Sequence, residues 1–284
     1  MKKIKNILVP TDFSATSRNA FQYALNLADT LNATVTVVHV KEHLLAASEL
    51  SVMPHLDDLN TLNAAMASFV DLQDDGGDDA PVMVKTKVKT KILRGFATDE
   101  LVTCSTQNDV DLIVMGTTGL QDFLSKIIGT VSFEVANRAH CPVMLVPRDA
   151  AWQPIDRIMF AANYQSTAPQ TVREITDFAQ FLKSKLYFVH VNENKLADDN
   201  LMEKIWDELF QFSDPSVAFD MHIIYRGNGD VVEKLSKYAE RHEVDVLAFV
   251  NKKRSFWQNL MHRSITENMA ISTDKPMLVL HFDD

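Results

Sequence analysis

The two halves of this chain repeat each other, and this duplication constrains the fold more than any other feature. Four mainly apolar segments of the first half recur in the same order in the second: Ile7–Phe13 as Ile158–Tyr164, Thr36–Val40 as Tyr187–Val191, Asp109–Met115 as Glu243–Phe249, and Cys141–Val146 as Lys275–Leu280. A period this long indicates duplicated domains rather than a solenoid of short repeats. We therefore predict two domains, residues 1–150 and 151–284, the second being shorter between its second and fourth strands.

Apolar runs alternate with segments of helical periodicity in each half. In the first half the pattern predicts strands near 5–10, 34–40, 82–90, 110–116 and 142–147, and helices near 15–31, 55–73, 97–107 and 130–139. Such alternation indicates an α/β fold whose parallel sheet is covered by helices on both faces. Right-handed crossovers leave few topologies for it.

A glycine pattern follows the fourth predicted strand. The chain has eight glycines, and three of them, Gly116, Gly119 and Gly129, lie close together, the last one directly before Thr130. Glycine lets backbone N–H groups approach an anion closely, and the start of a helix favours negative charge. A glycine turn between a strand and a helix therefore predicts a phosphate cradle.

The full spacing, G-x2-G-x9-G-[ST], resembles that of ATP-binding members of the universal stress protein family. The opening segment Ile7–Ser14 and the closing segment Cys141–Pro147 also resemble that family. The resemblance identifies a UspA-like protein with two domains in tandem. It implies an open five-stranded parallel sheet of order 3-2-1-4-5 in each domain. In such sheets, ligands bind at the carboxyl ends of the strands, where the strand order reverses.

The resemblance also implies a set of nucleotide-binding residues: Pro10, Thr11, Asp12, Val40, Met115, Gly116, Gly119, Gly129, Thr130, Val131 and Ser132. Asp12 would contact the adenosine, although a cap or turn former is its simpler role. The backbone of Val40 would contact the adenine edge, Gly116 would approach the ribose, and Gly119 would admit the phosphates. Thr130 and Ser132 would donate hydroxyl hydrogen bonds to phosphate.

Composition excludes several other classes of protein. The net charge of −10 argues against a nucleic-acid partner. No apolar run approaches the roughly 20 residues needed to span a membrane, and the N-terminal apolar run is too short for a signal peptide. The two cysteines suit a reducing compartment, and no Cys/His pair has metal-ligand spacing. We expect a cytoplasmic protein whose ligand is ATP, ADP or AMP, with Mg²⁺ left open.

The second half has lost the glycine pattern. Val250, Lys253 and Arg263 stand where the first half has its three glycines, and Asn163 stands in place of Asp12. We therefore expect a degenerate second domain that does not bind ATP in the same way. The last strand of each domain would be a sheet edge with unpaired backbone groups. We expect the two edges to pair antiparallel as an intramolecular pseudo-dimer, with a homodimer left open.

Three functions remain open on these residues. The first is a nucleotide-dependent stress-response regulator with an unknown protein partner. The second is an enzyme, either a slow ATPase or a self-phosphorylating protein. The third is a scaffold that holds a structural nucleotide. We expect no catalytic residue, since no histidine is placed as a general base and no carboxylate pair suggests metal-assisted hydrolysis.

Overall fold

Strands and helices alternate through both halves of the chain. The computed structural model describes residues 3–41, 56–71, 86–107, 109–117, 130–161, 169–192, 219–225, 227, 231–251 and 275–281. The first half contains β1 (Asn6–Pro10), α1 (Ala15–Leu31), β2 (Thr34–Lys41), α2 (Leu56–Val70), β3 (Val88–Arg94), α3 (Ala97–Ser105), β4 (Leu112–Thr117), α4 (Thr130–Arg138) and β5 (Val143–Pro147). The second half contains β6 (Arg157–Ala161), α5 (Pro169–Leu182), β7 (Lys185–Asn192), β8 (Phe219–Tyr225), α6 (Val231–Arg241), β9 (Val246–Asn251) and β10 (Met277–His281).

The ten strands form one sheet of order β3-β2-β1-β4-β5-β10-β9-β6-β7-β8. Each half therefore has the order 3-2-1-4-5, and all pairs within a half are parallel. The predicted α/β fold with two repeated five-stranded sheets is confirmed. Helices α1, α2 and α5 pack on one face of the sheet, and α3, α4 and α6 pack on the other.

The predicted antiparallel pairing of the two last strands is also confirmed. Met144 lies opposite Leu278, and the flanking pairs are Leu145 with Met277 and Val143 with Val279. Met144 and Leu278 are equivalent positions of the repeat, so a pseudo-two-fold axis passes through this pair. All these residues are buried, and the apolar cores of both faces continue across the junction.

A side-chain contact supports the same junction. The imidazole Nε2 of His281, at the end of β10, donates a hydrogen bond to the carbonyl oxygen of Ala136 in α4, 2.8 Å away. Just before the second half begins, the carbonyl oxygens of Pro147 and Ala150 accept hydrogen bonds from the Asn19 amide of α1, each 3.0 Å away. The segment that joins β5 to β6 is therefore held against the first helix.

One aspartate in each half anchors the first strand. Asp111 accepts hydrogen bonds from the two backbone N–H groups at the start of β1, at 2.8 and 3.0 Å. Asp245, its equivalent, accepts from the corresponding groups at the start of β6, at 2.9 and 2.8 Å. The backbone bends also match, because Asn32 and Lys183, which follow α1 and α5, have φ of 53° and 59°. The duplication therefore extends to individual hydrogen bonds.

The predicted third strand, near 82–90, was placed too early. The strand β3 spans Val88–Arg94, and residues 86 and 87 are not in a strand, while residues 82–85 lie outside the described part of the chain. This strand is a sheet edge whose lysines are exposed, so its pattern gives no clear apolar boundary. Its position is set instead by pairing with β2, from Val35 opposite Val88 to Lys41 opposite Arg94.

Among the described residues, no helix is long and apolar enough to cross a membrane.

Strand positions also locate the difference in length between the halves. The connection from the end of β2 at Lys41 to the start of β3 at Val88 is much longer than the equivalent one from Asn192 to Phe219. The next connection, from β3 to β4, is slightly shorter than its counterpart from β8 to β9. The second half is therefore shorter because of the segment before its third strand.

Candidate functional site

The turn after β1 is built from short polar side chains. Thr11 is buried, and its N–H donates to the carbonyl oxygen of Val38, 2.8 Å away. The Thr11 Oγ1 accepts from the Phe13 N–H at 2.9 Å and is hydrogen-bonded to the Ser17 hydroxyl at 3.0 Å. Phe13 has φ of +66°, a conformation that is unfavourable for a bulky residue. The hydrogen bonds of Thr11 and the aromatic contacts of Phe13 hold this strained turn in place.

Asp12 lies in the middle of that turn with its side chain exposed. Its Oδ1 accepts from the N–H of Ser14, 3.0 Å away, so it is the turn former that its position predicts. Ser14 in turn caps α1, because its Oγ accepts from the Ser17 N–H at 3.2 Å. Partial desolvation raises the pKa of Asp12, but hydrogen bonds from Ser14 and Ser17 outweigh it and leave the pKa below the usual value. The carboxylate is therefore ionised at neutral pH and reachable from solvent.

Gly116, near the end of β4, lies directly against the first turn of α1. A Cβ at this position would lie 2.6 Å from the carbonyl oxygen of Thr16, which is closer than real Cβ atoms approach backbone. Glycine at 116 is therefore required for packing, whatever else the position does. The start of α1 and the end of β4 are therefore in direct contact at Gly116.

The start of α4 is joined to the same place. The Ser132 hydroxyl is buried and donates to the carbonyl oxygen of Gly116 at 2.9 Å. Thr130 is the first residue of α4, and Val131 packs against the core of that face. The first backbone N–H groups of a helix have no partner within the helix, so this end favours an anion. Gly119 and Gly129 lie outside the described residues.

The end of β2 borders the Asp12 turn on its other side. Pro10, the last residue of β1, pairs with Val38 of β2. The Nδ1–H of His39 donates to the carbonyl oxygen of Thr11 at 2.9 Å, and its ring lies 4.6 Å from that of Phe13. Val40, one residue further, is half-buried and packs against the core.

His39 was not among the residues predicted from the sequence. A signal was present, because His190 occupies the same position in the second half; His190 is buried there, whereas His39 is half-buried. A histidine at both positions of a repeat that differs elsewhere indicates a structural role. In the first half that role is the hydrogen bond to the Thr11 carbonyl oxygen.

The predicted residues that the structure describes lie at three places around the site, except for Met115, which lies in the core. Pro10, Thr11 and Asp12 form the end of β1 and its turn, while Gly116, Thr130, Val131 and Ser132 join β4 to α4. Val40 lies on the neighbouring strand β2. Met115 is buried in the core between the sheet and helices α3 and α4, so its side chain is a core side chain.

The described residues offer little covalent or metal chemistry. No group of three or more His, Cys, Asp or Glu side chains among them is arranged to hold a metal ion. Both cysteines are buried, and burial raises the pKa of the Cys141 thiol to about 12 and that of the Cys104 thiol above its usual value. Neither thiol is a ready nucleophile. The arrangement suits binding of an anionic ligand with polar hydroxyl groups.

Comparisons with known proteins identify the family. The model of the universal stress protein family matches residues 3–147. The universal stress protein MJ0531 of Methanocaldococcus jannaschii is 30% identical over 151 residues, which cover 51% of this chain and 82% of that protein. A second universal stress protein of that organism, MJ0577, is 25% identical over 155 residues, covering 51% and 95%.

The whole chain also has a structural counterpart. The crystal structure of a universal stress protein from Archaeoglobus fulgidus aligns with a TM-score of 0.68, covering 98% of this chain and 97% of that one at 16% identity. At this identity the likeness establishes the fold, and it extends over both halves. The chain therefore belongs to the universal stress protein family, as a UspA-like member with two such units in tandem.

Proposed function

We propose that the first half, residues 1–150, binds ATP and that the protein acts as a nucleotide-dependent regulator of a stress response. The observation that carries the proposal is the meeting of three elements at one point. The Asp12 turn and Gly116 both lie against the first turn of α1, and Ser132 ties the start of α4 to Gly116. The exposed, ionised Asp12 carboxylate suits a ribose hydroxyl, and the start of α4 suits a phosphate.

The structure changes the role expected for one residue. The Ser132 hydroxyl hydrogen is already donated to the Gly116 carbonyl, so we assign phosphate binding to the Thr130 hydroxyl and to the backbone N–H groups that begin α4. In this proposal Ser132 holds α4 at the correct distance from β4.

ADP and AMP carry the same adenosine and fewer phosphates, so we expect them to bind more weakly.

Mg²⁺ is proposed only as a companion of the nucleotide. The ion typically keeps several waters and is bound through substrate phosphates with one or two carboxylates. Asp12, the exposed carboxylate in the described part of this site, is assigned here to the ribose, so the ion would be held by the phosphates and by water. The chain's own residues would therefore bind and orient the nucleotide, while the ion would neutralise phosphate charge.

We propose that the second half, residues 151–284, does not bind ATP in this way. Val250, the equivalent of Gly116, presents a side chain where the first half requires none. A side chain at that place would keep the backbone away from a bound nucleotide. Asn163, Lys253 and Arg263, the other predicted differences, lie outside the described residues.

Isothermal titration calorimetry with ATP on the full chain tests the proposal. The two halves share one sheet, so paired variants are preferable to separated halves. Gly129→Lys, which places a cation where the second half has Arg263, should abolish binding, while Arg263→Gly should leave it unchanged. ATP binding by Gly129→Lys with the affinity of the parent would refute the assignment to the first half.

Two further measurements separate the regulatory function from the other hypotheses. Turnover of ATP by the purified chain would favour a slow ATPase, and transfer of ³²P to the chain would favour self-phosphorylation. A nucleotide that copurifies and never exchanges would favour the structural scaffold. We expect exchangeable nucleotide, and a protein partner whose affinity changes when ATP is bound.

A further inference from the structure

Phe96 combines two unfavourable features at the start of α3. Its side chain is 62% exposed, and Met221, at 44%, is the other large apolar side chain exposed among the described residues. Phe96 is also the N-cap of α3 and makes no side-chain capping hydrogen bond. Asn, Asp, Ser and Thr are preferred there, and large apolar residues are poor caps. Neither helix stability nor core packing explains a phenylalanine at this position.

The second half has a residue of the preferred capping type at the equivalent sequence position. Under the 134-residue offset that relates the buried Leu101 of α3 to the buried Leu235 of α6, Phe96 corresponds to Asp230. The half with the intact glycine pattern therefore has the poor capping residue, and the half without the pattern has a good one. Residues that break a local rule without a structural gain are expected at functional sites.

The backbone around Phe96 is held firmly. Gly95 has φ of +153°, and its N–H donates to the carbonyl oxygen of Lys41 at the end of β2, 3.2 Å away. The Glu100 side chain folds over Gly95, so that a Cβ at Gly95 would lie 2.5 Å from the Glu100 carboxylate and would displace it. The Phe96 carbonyl accepts the N–H of Glu100 at 3.0 Å. An exposed aromatic ring on a fixed backbone is suited to binding a flat ligand.

Its place in the sheet relates Phe96 to the candidate site. Strands β3, β2, β1 and β4 are neighbours in that order, so their carboxyl ends carry Phe96, Val40, Asp12 and Gly116 in a row. Strands β3 and β1 are two spacings apart, roughly 10 Å at about 4.8 Å between strands. Their registers with β2 place Phe96 about three residues further toward the carboxyl ends of the strands than Asp12. The row continues to the start of α4. If phosphate lies at α4 and ribose at Asp12, the base lies toward Val40 and Phe96.

We propose that Phe96 is the stacking surface for the adenine base of the nucleotide. This inference rests on the proposed ATP site and deepens it. Aromatic side chains bind bases through their flat faces, and removing one such contact weakens binding by about tenfold or more. Phe96 would thus orient the base, while Asp12 and α4 bind the rest of the molecule.

Three variants of the full chain test the proposal by calorimetric titration with ATP. Phe96→Asn removes the ring and supplies a good neutral N-cap, so we expect ATP binding about tenfold weaker with an unchanged or higher thermal midpoint. Phe96→Trp keeps a flat aromatic surface and should bind ATP within about twofold of the parent. Met221→Ala, which removes the other exposed apolar side chain at the far edge of the sheet, should bind ATP as the parent does.

The outcomes separate this inference from the proposed function. A parent protein that does not bind ATP refutes the proposed function, and the stacking role with it. A parent that binds ATP while Phe96→Asn binds it equally well refutes the stacking role alone. Equal weakening in Phe96→Asn and Phe96→Trp also refutes it, because the position would then matter for packing and not for an aromatic face.

Discussion

The two halves of this protein share the same arrangement of strands and helices, but they differ in the residues at the carboxyl ends of the strands. Strand registers, the anchoring aspartates Asp111 and Asp245, and the bends at Asn32 and Lys183 all correspond. The carboxyl end of the sheet differs, since Gly116 is replaced by Val250. The comparison teaches that parallel strand pairing and buried backbone hydrogen bonds survive duplication, while the ends of the strands are free to diverge.

A second difference lies at the far edge of the second half. Four rings, Tyr187, His222, Tyr238 and His242, meet between β7, β8 and α6, and the rings of Tyr238 and His242 stack at 4.0 Å. The first half has Thr36, Lys91, Cys104 and Asn108 at the equivalent positions. We call these four rings the edge aromatic cluster. The cluster includes two histidines, whereas the equivalent first-half positions hold neither histidine nor tyrosine.

The largest expected effect is loss of the junction between the halves. Leu145→Asp together with Val279→Asp places carboxylates at equivalent, fully buried positions of β5 and β10. Burying unpaired charge is costly, and we expect a loss of stability of about 5 kcal/mol or more. Urea unfolding followed by circular dichroism measures it. A variant as stable as the parent would show that the halves do not depend on this pairing.

Exchanging residues between the halves at Gly116 and Val250 should have unequal effects. Gly116→Val forces a side chain against the Thr16 carbonyl, so we expect a loss of about 3 kcal/mol together with loss of ATP binding. Val250→Gly removes one half-buried side chain and should cost about 1 to 2 kcal/mol. Urea unfolding and ATP titration check both variants. Equal and small effects would contradict the contact between β4 and α1.

Removing the anchoring aspartates should have similar effects in the two halves. Asp111→Ala and Asp245→Ala each leave two backbone N–H groups without their acceptor, and we expect each to cost about 2 kcal/mol. Asp245 also accepts from the exposed Gln153 amide at 2.9 Å. Thermal unfolding of both variants tests this equivalence. A clear effect in one half alone would break it.

The smallest expected effect is a pH dependence that belongs to the second half. Burial lowers the pKa of His242, and His222 and Arg241 lower it further, while Asp220 opposes them and Lys185 adds to the decrease. A histidine whose folded pKa lies below its unfolded value of about 6.5 resists protonation in the folded state. Neutral His242 is therefore compatible with full stability above about pH 6.5. As the pH falls, protonation favours the unfolded state, and the free energy of unfolding decreases.

The matched variant is His242→Asn, which restores the first-half residue. Urea midpoints at about pH 7.5 and pH 5.5 should differ less in this variant than in the parent. An unchanged difference between the two pH values would show that the edge aromatic cluster does not sense protons.

Features that depend on local pattern were predictable. The alternation of apolar runs with helical periodicity identified the α/β class, and α1 begins and ends where its pattern predicts, at Ala15 and Leu31. The pairing of β5 with β10 was predictable because both are short apolar runs at sheet edges, which require a partner. The position of β3 was not predictable. It is an edge strand with exposed lysines, and its sequence pattern does not show which of its residues pair with β2.

The sequence by itself determined the duplication, the strand order through its family resemblance, and the segments from which a nucleotide site would be built. Only the tertiary structure decided what those residues do to one another. Gly116 meets Thr16, and His39 meets Thr11, across different elements of the sheet. Ser132 donates its hydroxyl hydrogen to the carbonyl of Gly116 on a separate element. Local periodicity records which face of an element is apolar, whereas these contacts depend on distances between elements, which arise only when the sheet and its helices pack together.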